Sequence, residues 1–99
     1  MKPYAITNIK AYVPLTLDVN QLNYDSWREL FQTHCKGFSV IGHLTGASKP
    51  KNEDDEEWET IDSLEKMWIY GTLTQSLLNM VTKSDSTVNY LWLAIEALF

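Results

Sequence analysis

Four tryptophans in a chain of 99 residues restrict the possible folds more than any other feature of this sequence. A buried tryptophan removes roughly 150–250 Å² of surface from water, so four of them can organise the core of a domain this small. Each one lies among apolar residues at the spacing of an amphipathic helix. They are Trp27, Trp58, Trp68 and Trp92. The pattern predicts a small helical scaffold in one domain.

The apolar periodicity predicts an all-α fold, a bundle of about five helices over residues 21–99. The first helix is expected to start at the capping box of Ser26 and Glu29, or just before it at Asp25. The last helix is expected to start at Asp85 or Ser86. Between them, the pattern predicts a short helix or turn at residues 40–44, a helix from about 55 to 71, and a shorter helix from about 74.

The predicted core consists of apolar residues that recur every three or four positions along these helices. Cys35 belongs to it because a lone cysteine at an apolar helical position behaves as a small buried side chain. The full set is Trp27, Leu30, Phe31, Cys35, Trp58, Ile61, Leu64, Trp68, Leu77, Leu91, Trp92 and Ile95.

Residues 1–20 are predicted to form an extended N-terminal arm. From residue 9 to residue 17, apolar and polar side chains alternate with a period of two, which favours a strand or strand-like packing over a helix. Pro14 cannot donate a ladder hydrogen bond, so the segment is an edge strand or an arm laid along a surface. It can pair with a neighbouring molecule or fold back over its own core.

The arm and the C-terminal end are the two predicted partner-binding regions. The last helix has no stop signal, so we expect either that the chain is cut at a domain boundary or that its apolar end docks on a partner, and we favour the first. The residues concerned are Ile9, Ala11, Val13, Leu15, Leu17, Leu98 and Phe99.

Composition and charge indicate which classes of binding partner and which cellular compartment to expect. The formal net charge is −5 and the basic residues are scattered, so nucleic acid is not an expected partner of this segment. The sequence has no apolar run of membrane-spanning length and none of signal-peptide length near Met1, so neither a membrane span nor a secretory leader is expected. The single Cys35 can form no internal disulfide and indicates a reducing compartment, so we predict a cytoplasmic protein.

Three groups of residues carry candidate chemistry, and each has a simpler structural interpretation. The acidic run at residues 53–57 is interpreted as the first turn of a helix, since consecutive carboxylates point around a helix rather than at one cation. Cys35 with His34 or His43 lacks the orienting residue that nucleophilic catalysis needs. One cysteine and two histidines are also fewer than the four ligands of a zinc site. Asp62 is expected at the edge of an apolar stripe, or hydrogen-bonded to a tryptophan or tyrosine. We therefore predict no catalytic residue, no metal and no cofactor.

An ordered set of residues runs through nearly the whole chain, from about residue 6 to residue 99. It begins with the lead-in Ile9–Asp18 and with Leu22-Asn23-Tyr24-x2-Trp27-x3-Phe31-x3-Cys35. It continues with Val40-x-Gly42-His43-Leu44-x-Gly46, Trp58, Asp62, Leu64-x3-Trp68-Ile69-Tyr70-Gly71-Thr72-Leu73, Leu77-Leu78, Thr87, Trp92 and Ala97-Leu98-Phe99. Together these residues resemble the N-terminal region of the Gag polyprotein of plant copia-type LTR retrotransposons.

The resemblance implies a capsid-type role. Gag proteins assemble into virus-like particles around element RNA, and their capsid regions are all-helical with two lobes. The chain is then expected to be the N-terminal lobe, contacting further copies of itself, a second Gag lobe beyond Phe99 or a host protein. The alternative hypothesis is a host-adopted module that binds a partner protein or peptide in a groove lined by Tyr24, Trp27, Trp68 or Tyr70.

Overall fold

The computed structural model describes residues 8–99, which fold into five α-helices. Within this range no strand forms, so the prediction of an all-α bundle of about five helices is confirmed. The fifth helix packs against the second, third and fourth. The helices are α1 (Tyr24–Gly37), α2 (Ile41–Thr45), α3 (Glu56–Tyr70), α4 (Gln75–Val81) and α5 (Val88–Leu98).

Helix α1 begins at Tyr24, so its N-cap position lies two residues before the predicted alternative cap at Asp25. The capping box predicted at Ser26 and Glu29 does not start the helix. Asn23 occupies the N-cap position, but its side chain caps no amide of the helix. Its Oδ1 instead accepts a hydrogen bond at 3.1 Å from a backbone amide five residues upstream. The side chain therefore holds the preceding segment against the start of α1.

Helix α3 begins where the acidic run predicts, because Asp55 Oδ1 accepts a hydrogen bond from the Trp58 amide at 3.2 Å. Helix α5 begins later than predicted, and its cap at Asp85 or Ser86 is wrong. Thr87 is the N-cap, and its Oγ1 accepts a hydrogen bond at 3.2 Å from the amide three residues on. Asp85 has a φ of +60°, a left-handed turn conformation unlike the extended backbone of a helix cap.

The N-terminal segment folds back over its own helices. Ile9–Ala11 form one 3₁₀ turn, contrary to the strand-like interpretation, because local backbone hydrogen bonds close the turn. The amide of Leu17 then donates to the Thr72 carbonyl at 2.7 Å, and its carbonyl accepts from the Thr74 amide at 3.1 Å. Val13 and Leu17 are fully buried. The part of the predicted arm before residue 8 lies outside the described residues.

An aromatic cluster forms the middle of the core. The ring centroids of Trp27 and Phe31 lie 5.3 Å apart, and Trp92 lies 5.4 Å from the first and 5.6 Å from the second. Tilted rings at these distances contribute favourable quadrupole contacts in addition to the apolar area that they bury. The cluster joins the N-terminal half of α1, the first helix, to α5, the last helix.

Candidate functional site

Asp62 is buried in α3 and joins three helices at one point. Its Oδ1 is hydrogen-bonded to His43 Nδ1 of α2 at 3.2 Å, and its Oδ2 accepts from the Val88 amide at the start of α5 at 3.0 Å. The tryptophan or tyrosine partner predicted for Asp62 is therefore wrong. Burying a carboxyl group is costly unless its oxygens are hydrogen-bonded, and here both are.

His43 also forms part of the wall of two adjoining surface cavities. Its ring stacks on Trp58 with centroids 4.7 Å apart and planes 25° apart. The cavities have volumes of about 220 and 190 Å³, and both are lined by His43, Ser48, Lys49 and Trp58. Both volumes are below the roughly 300 Å³ at which small-molecule pockets begin.

Ser48, His43 and Asp62 are the three residue types of a serine hydrolase triad, and all lie in this region. In such a triad the histidine accepts the proton of the serine hydroxyl through a direct hydrogen bond. Within residues 8–99 no hydrogen bond joins Ser48 to His43. The Ser48 hydroxyl oxygen instead accepts from Trp58 Nε1 at 3.1 Å. The arrangement lacks the contact between nucleophile and base on which that chemistry depends.

Cys35 is fully buried, and its hydrogen-bond partner is a carboxyl group rather than a histidine. Its Sγ donates to Glu65 Oε1 at 3.5 Å. Burial raises the pKa of the thiol far above its ordinary value, and the neighbouring Glu65 raises it further. His34 packs instead against the Trp68 ring, with centroids 4.5 Å apart, and burial lowers its pKa. The thiol is therefore held in its unreactive protonated form.

Glu65 itself is the least expected residue of the core, since its side chain is fully buried. Its Oε2 has no hydrogen-bond partner within the described residues. Burial, together with the neighbouring Asp62, raises the pKa of Glu65 to about 8 against the opposing effect of the hydrogen bond from Cys35. Glu65 is consequently a neutral acid in the folded protein at pH 7.

Of the acidic run at residues 53–57, Asp55 is the N-cap of α3 and Glu56 and Glu57 lie in its first turn, whereas Glu53 and Asp54 precede the helix. Besides capping Trp58, Asp55 accepts from the Lys51 amide at 2.9 Å. These two backbone hydrogen bonds lower the pKa of the Asp55 carboxyl group. In the part of the chain that the structure describes, no group of three or more histidine, cysteine, aspartate or glutamate side chains is placed to hold a metal ion.

The predicted core residues fall into two groups in the structure. Those of the first group are buried: Trp27, Phe31, Cys35, Trp68, Leu77, Leu91, Trp92 and Ile95. Those of the second group are half-buried: Leu30, Ile61 and Leu64 pack against the core, whereas Trp58 does not belong to it, so the assignment of Trp58 to the core is wrong. The Trp58 ring instead covers His43 and lines the two cavities.

The core also contains buried apolar residues that the predicted set omits. Val13 and Leu17 lie in the N-terminal segment, where helical periodicity gives no signal. The omitted residues are Val13, Leu17, Phe38, Val40, Leu44, Ile69, Leu73, Val81 and Val88.

The predicted partner-binding residues of the arm are not a common surface. Val13 and Leu17 belong to the domain's own core, so their assignment to a partner is corrected. Ile9 and Leu15 are half-buried, and Ala11 is exposed. At the other end of the chain, Leu98 and Phe99 are 45% and 43% exposed, and the Phe99 ring stacks on Tyr24 with centroids 4.8 Å apart.

The peptide groove predicted from four aromatic residues is not formed. Trp27 and Trp68 are 0% and 3% exposed, so their rings fill the core and line no cleft. Tyr24 and Tyr70 are half-buried and pack against the same core.

A stripe of apolar residues lies on the outer face of α5. Tyr90, Leu93, Ala94 and Ala97 follow one another at positions i, i+3, i+4 and i+7, the spacing of one helix face. Tyr90 and Leu93 are 45% and 51% exposed, Ala97 is exposed and Ala94 is half-buried. We call these four residues the α5 stripe. Asn89 and Glu96 are the only polar residues of α5, so the sequence already indicates that the outer face of this helix is apolar. The sequence prediction considered only the apolar residues that pack inward.

No protein-family model, curated protein or solved structure matches this chain. Among residues 8–99, no helix is both long enough and apolar enough to cross a membrane. The α5 stripe is the surface on which a functional proposal rests, since an apolar helix face is normally buried.

Proposed function

We propose that this chain is a structural self-assembly domain, a Gag-like N-terminal lobe that contributes to a virus-like capsid shell in the cytoplasm. The observation that carries the proposal is the unpartnered half of α5. Its inner face packs on the domain through Val88, Leu91, Trp92 and Ile95, while Tyr90, Leu93 and Ala97 of the α5 stripe are exposed and Ala94 is half-buried at its edge. The ordered resemblance to Gag sequences supports the same function.

Assembly of this kind depends on many weak contacts rather than on one strong one. The α5 stripe is narrow, so a single contact through it buries less area than a stable protein interface needs. Weak contacts become cooperative only when each copy makes several of them, which keeps isolated subunits soluble before a shell closes. Copies with a net charge of −5 also repel one another, and salt screens that repulsion.

The test is multi-angle light scattering coupled to gel filtration, from micromolar to millimolar protein and at low and high salt, with negative-stain microscopy of the same samples. We expect a monomer at low concentration, with oligomers or ring-shaped particles as concentration and salt increase. A protein that stays strictly monomeric throughout would overturn the proposal.

The second candidate function is a host-adopted module that binds a partner protein or peptide. A groove of about 530 Å³ between the N-terminal segment and α1 favours it, because Tyr12, Leu30 and Phe38 line it and Tyr12 is 47% exposed. Peptides selected from a random displayed library against the chain test this function. If the selected peptides bind Tyr90→Ala but no longer bind Tyr12→Ala, the groove is their binding site. If they bind both variants equally well, the proposal of a binding site in this groove is rejected.

A further inference from the structure

We propose that two copies of this domain pair through the α5 stripe, with their α5 helices antiparallel about a two-fold axis that passes between Leu93 and Ala94. This inference rests on the proposed self-assembly function and identifies one of its contacts. The partner that covers the stripe is thus a second copy of the same chain.

The sizes of the side chains suit such a pair. Tyr90 and Ala97 stand at opposite ends of the stripe, so antiparallel pairing sets the large ring of each copy against the small side chain of its partner. The contact repeats by symmetry at both ends, while Leu93 and Ala94 of the two copies meet at the axis. Small residues allow two helices to approach closely, and large residues then fill the space beside them.

The charges around α5 are also self-complementary in this orientation. The Lys83 Nζ lies 4.6 Å from the centroid of the Tyr90 ring, beside the N-terminal end of α5. Glu96 lies in the last turn of α5, and its side chain is 51% exposed. Antiparallel pairing sets the ammonium group of each copy near the carboxylate of its partner, whereas parallel pairing sets like charges together. The helix dipoles favour the antiparallel arrangement as well.

Glu96 also forms an ion pair with Arg28 of its own copy, at 3.7 Å. Both side chains are exposed, and exposed pairs of this kind contribute little to stability. The intramolecular pair therefore leaves the Glu96 carboxylate able to interact with a second copy.

The length of the stripe sets the strength of the pair. Seven residue steps along a helix cover about 10 Å, so the interface is short and the dimer is weak. A weak two-fold contact is suited to a shell in which every copy has several neighbours.

Sedimentation velocity over a concentration series tests the surface. We expect a reversible monomer–dimer equilibrium, with the dissociation constant raised at least about tenfold by Leu93→Asp. The matched control is Met67→Asp, which places the same charge at a 65% exposed apolar residue on α3 and should leave the equilibrium unchanged. Both sites are exposed, so both variants should fold, which circular dichroism will verify.

A charge exchange tests the orientation. Lys83→Glu and Glu96→Lys should each weaken the dimer, and the double variant should restore it, because the exchange rebuilds the attraction between copies. Cysteine substitution gives a second readout of the same geometry: Ala94→Cys should form a disulfide between copies under mild oxidation, and Ala97→Cys should not. Efficient cross-linking through Ala97→Cys would instead show a parallel pair and overturn the antiparallel arrangement.

The outcomes separate this inference from the proposed function. If the wild-type chain assembles and Leu93→Asp assembles equally well, the α5 pair is wrong and the self-assembly function stands on another surface. If the wild-type chain forms no oligomer at all, both proposals fail. If the chain assembles and only the α5 variants lose the dimer, both are supported.

Discussion

Trp27 Nε1 donates a hydrogen bond to Thr72 Oγ1 at 3.0 Å, across 45 positions of the chain. Both residues are fully buried, so the indole N–H has no access to water. The carbonyl of Thr72 also accepts the amide of Leu17 at 2.7 Å. One threonine thus joins the N-terminal segment, α1 and the connection between α3 and α4.

The first prediction concerns that threonine. Thr72→Val keeps the shape of the side chain but leaves the Trp27 N–H buried without a partner, which should lower the free energy of unfolding by about 1–3 kcal/mol. Thr74→Val is the matched control, because the Thr74 Oγ1 is buried and has no hydrogen-bond partner in the described chain. It should be neutral or slightly stabilising in urea denaturation. Equal losses in the two variants would show that the hydrogen bond to Trp27 is not the cause.

The second prediction concerns the junction at Asp62. Asp62→Ala leaves His43 Nδ1 and the Val88 amide buried and unpaired, so we expect a loss of about 2–5 kcal/mol in the free energy of unfolding. Thr87→Ala removes only a helix cap of the same helix and should cost about 1 kcal/mol. Chemical denaturation of both variants makes the comparison. A loss for Asp62→Ala no greater than that for Thr87→Ala would contradict the junction.

The third prediction is a pH dependence caused by Glu65. Its pKa is about 8 in the folded protein against an ordinary value of 4.5, so the folded state binds more protons between these two values. Stability should therefore fall as pH rises from about 4.5 to 8, by up to ~1.4 kcal/mol per pH unit for this one proton. Glu65→Gln replaces the neutral acid by a neutral amide of similar shape and should flatten the curve across that window. Parallel curves for the two proteins would reject the assignment.

The fourth prediction concerns the reactivity of Cys35. Because the thiol is buried and its pKa is raised, an aromatic disulfide reagent should label the native protein at least about 100-fold more slowly than the denatured chain. Ser63→Cys places a thiol at an exposed position of α3 and should react quickly in the native state, which shows that the reagent is active. Rapid labelling of native Cys35 would instead favour an enzyme built on this cysteine.

Local patterns in the sequence were enough to predict the helices. The cap at Asp55 acts within three residues of its own position, and the apolar stripes repeat within two turns. The errors at α1 show where such reasoning stops. Asn23 accepts a hydrogen bond from an amide of the preceding segment, a contact that competes with capping and that no helical pattern contains.

The junction at Asp62 could be recognised only in part. An acid among apolar residues of α3 indicated an unusual environment, but its two partners lie 19 and 26 positions away. Sequence spacing cannot place such groups within hydrogen-bond distance, because that depends on how α2 and α5 pack on α3. The contact of the buried Glu65 with Cys35 was not predicted for the same reason, since it spans 30 positions.

Residue order alone accounts for the all-α class, the positions of most helices and the apolar character of α5, because these follow from interactions within a few residues. Packing decided the rest. Val13 and Leu17 are buried in the core, and so are Trp27 and Trp68, which therefore line no groove. Tyr90 and Leu93 of α5 are exposed to water. An apolar helix has no intrinsic inner face. Which side is covered depends on the helices it meets, and here they cover only the face that carries Leu91 and Ile95.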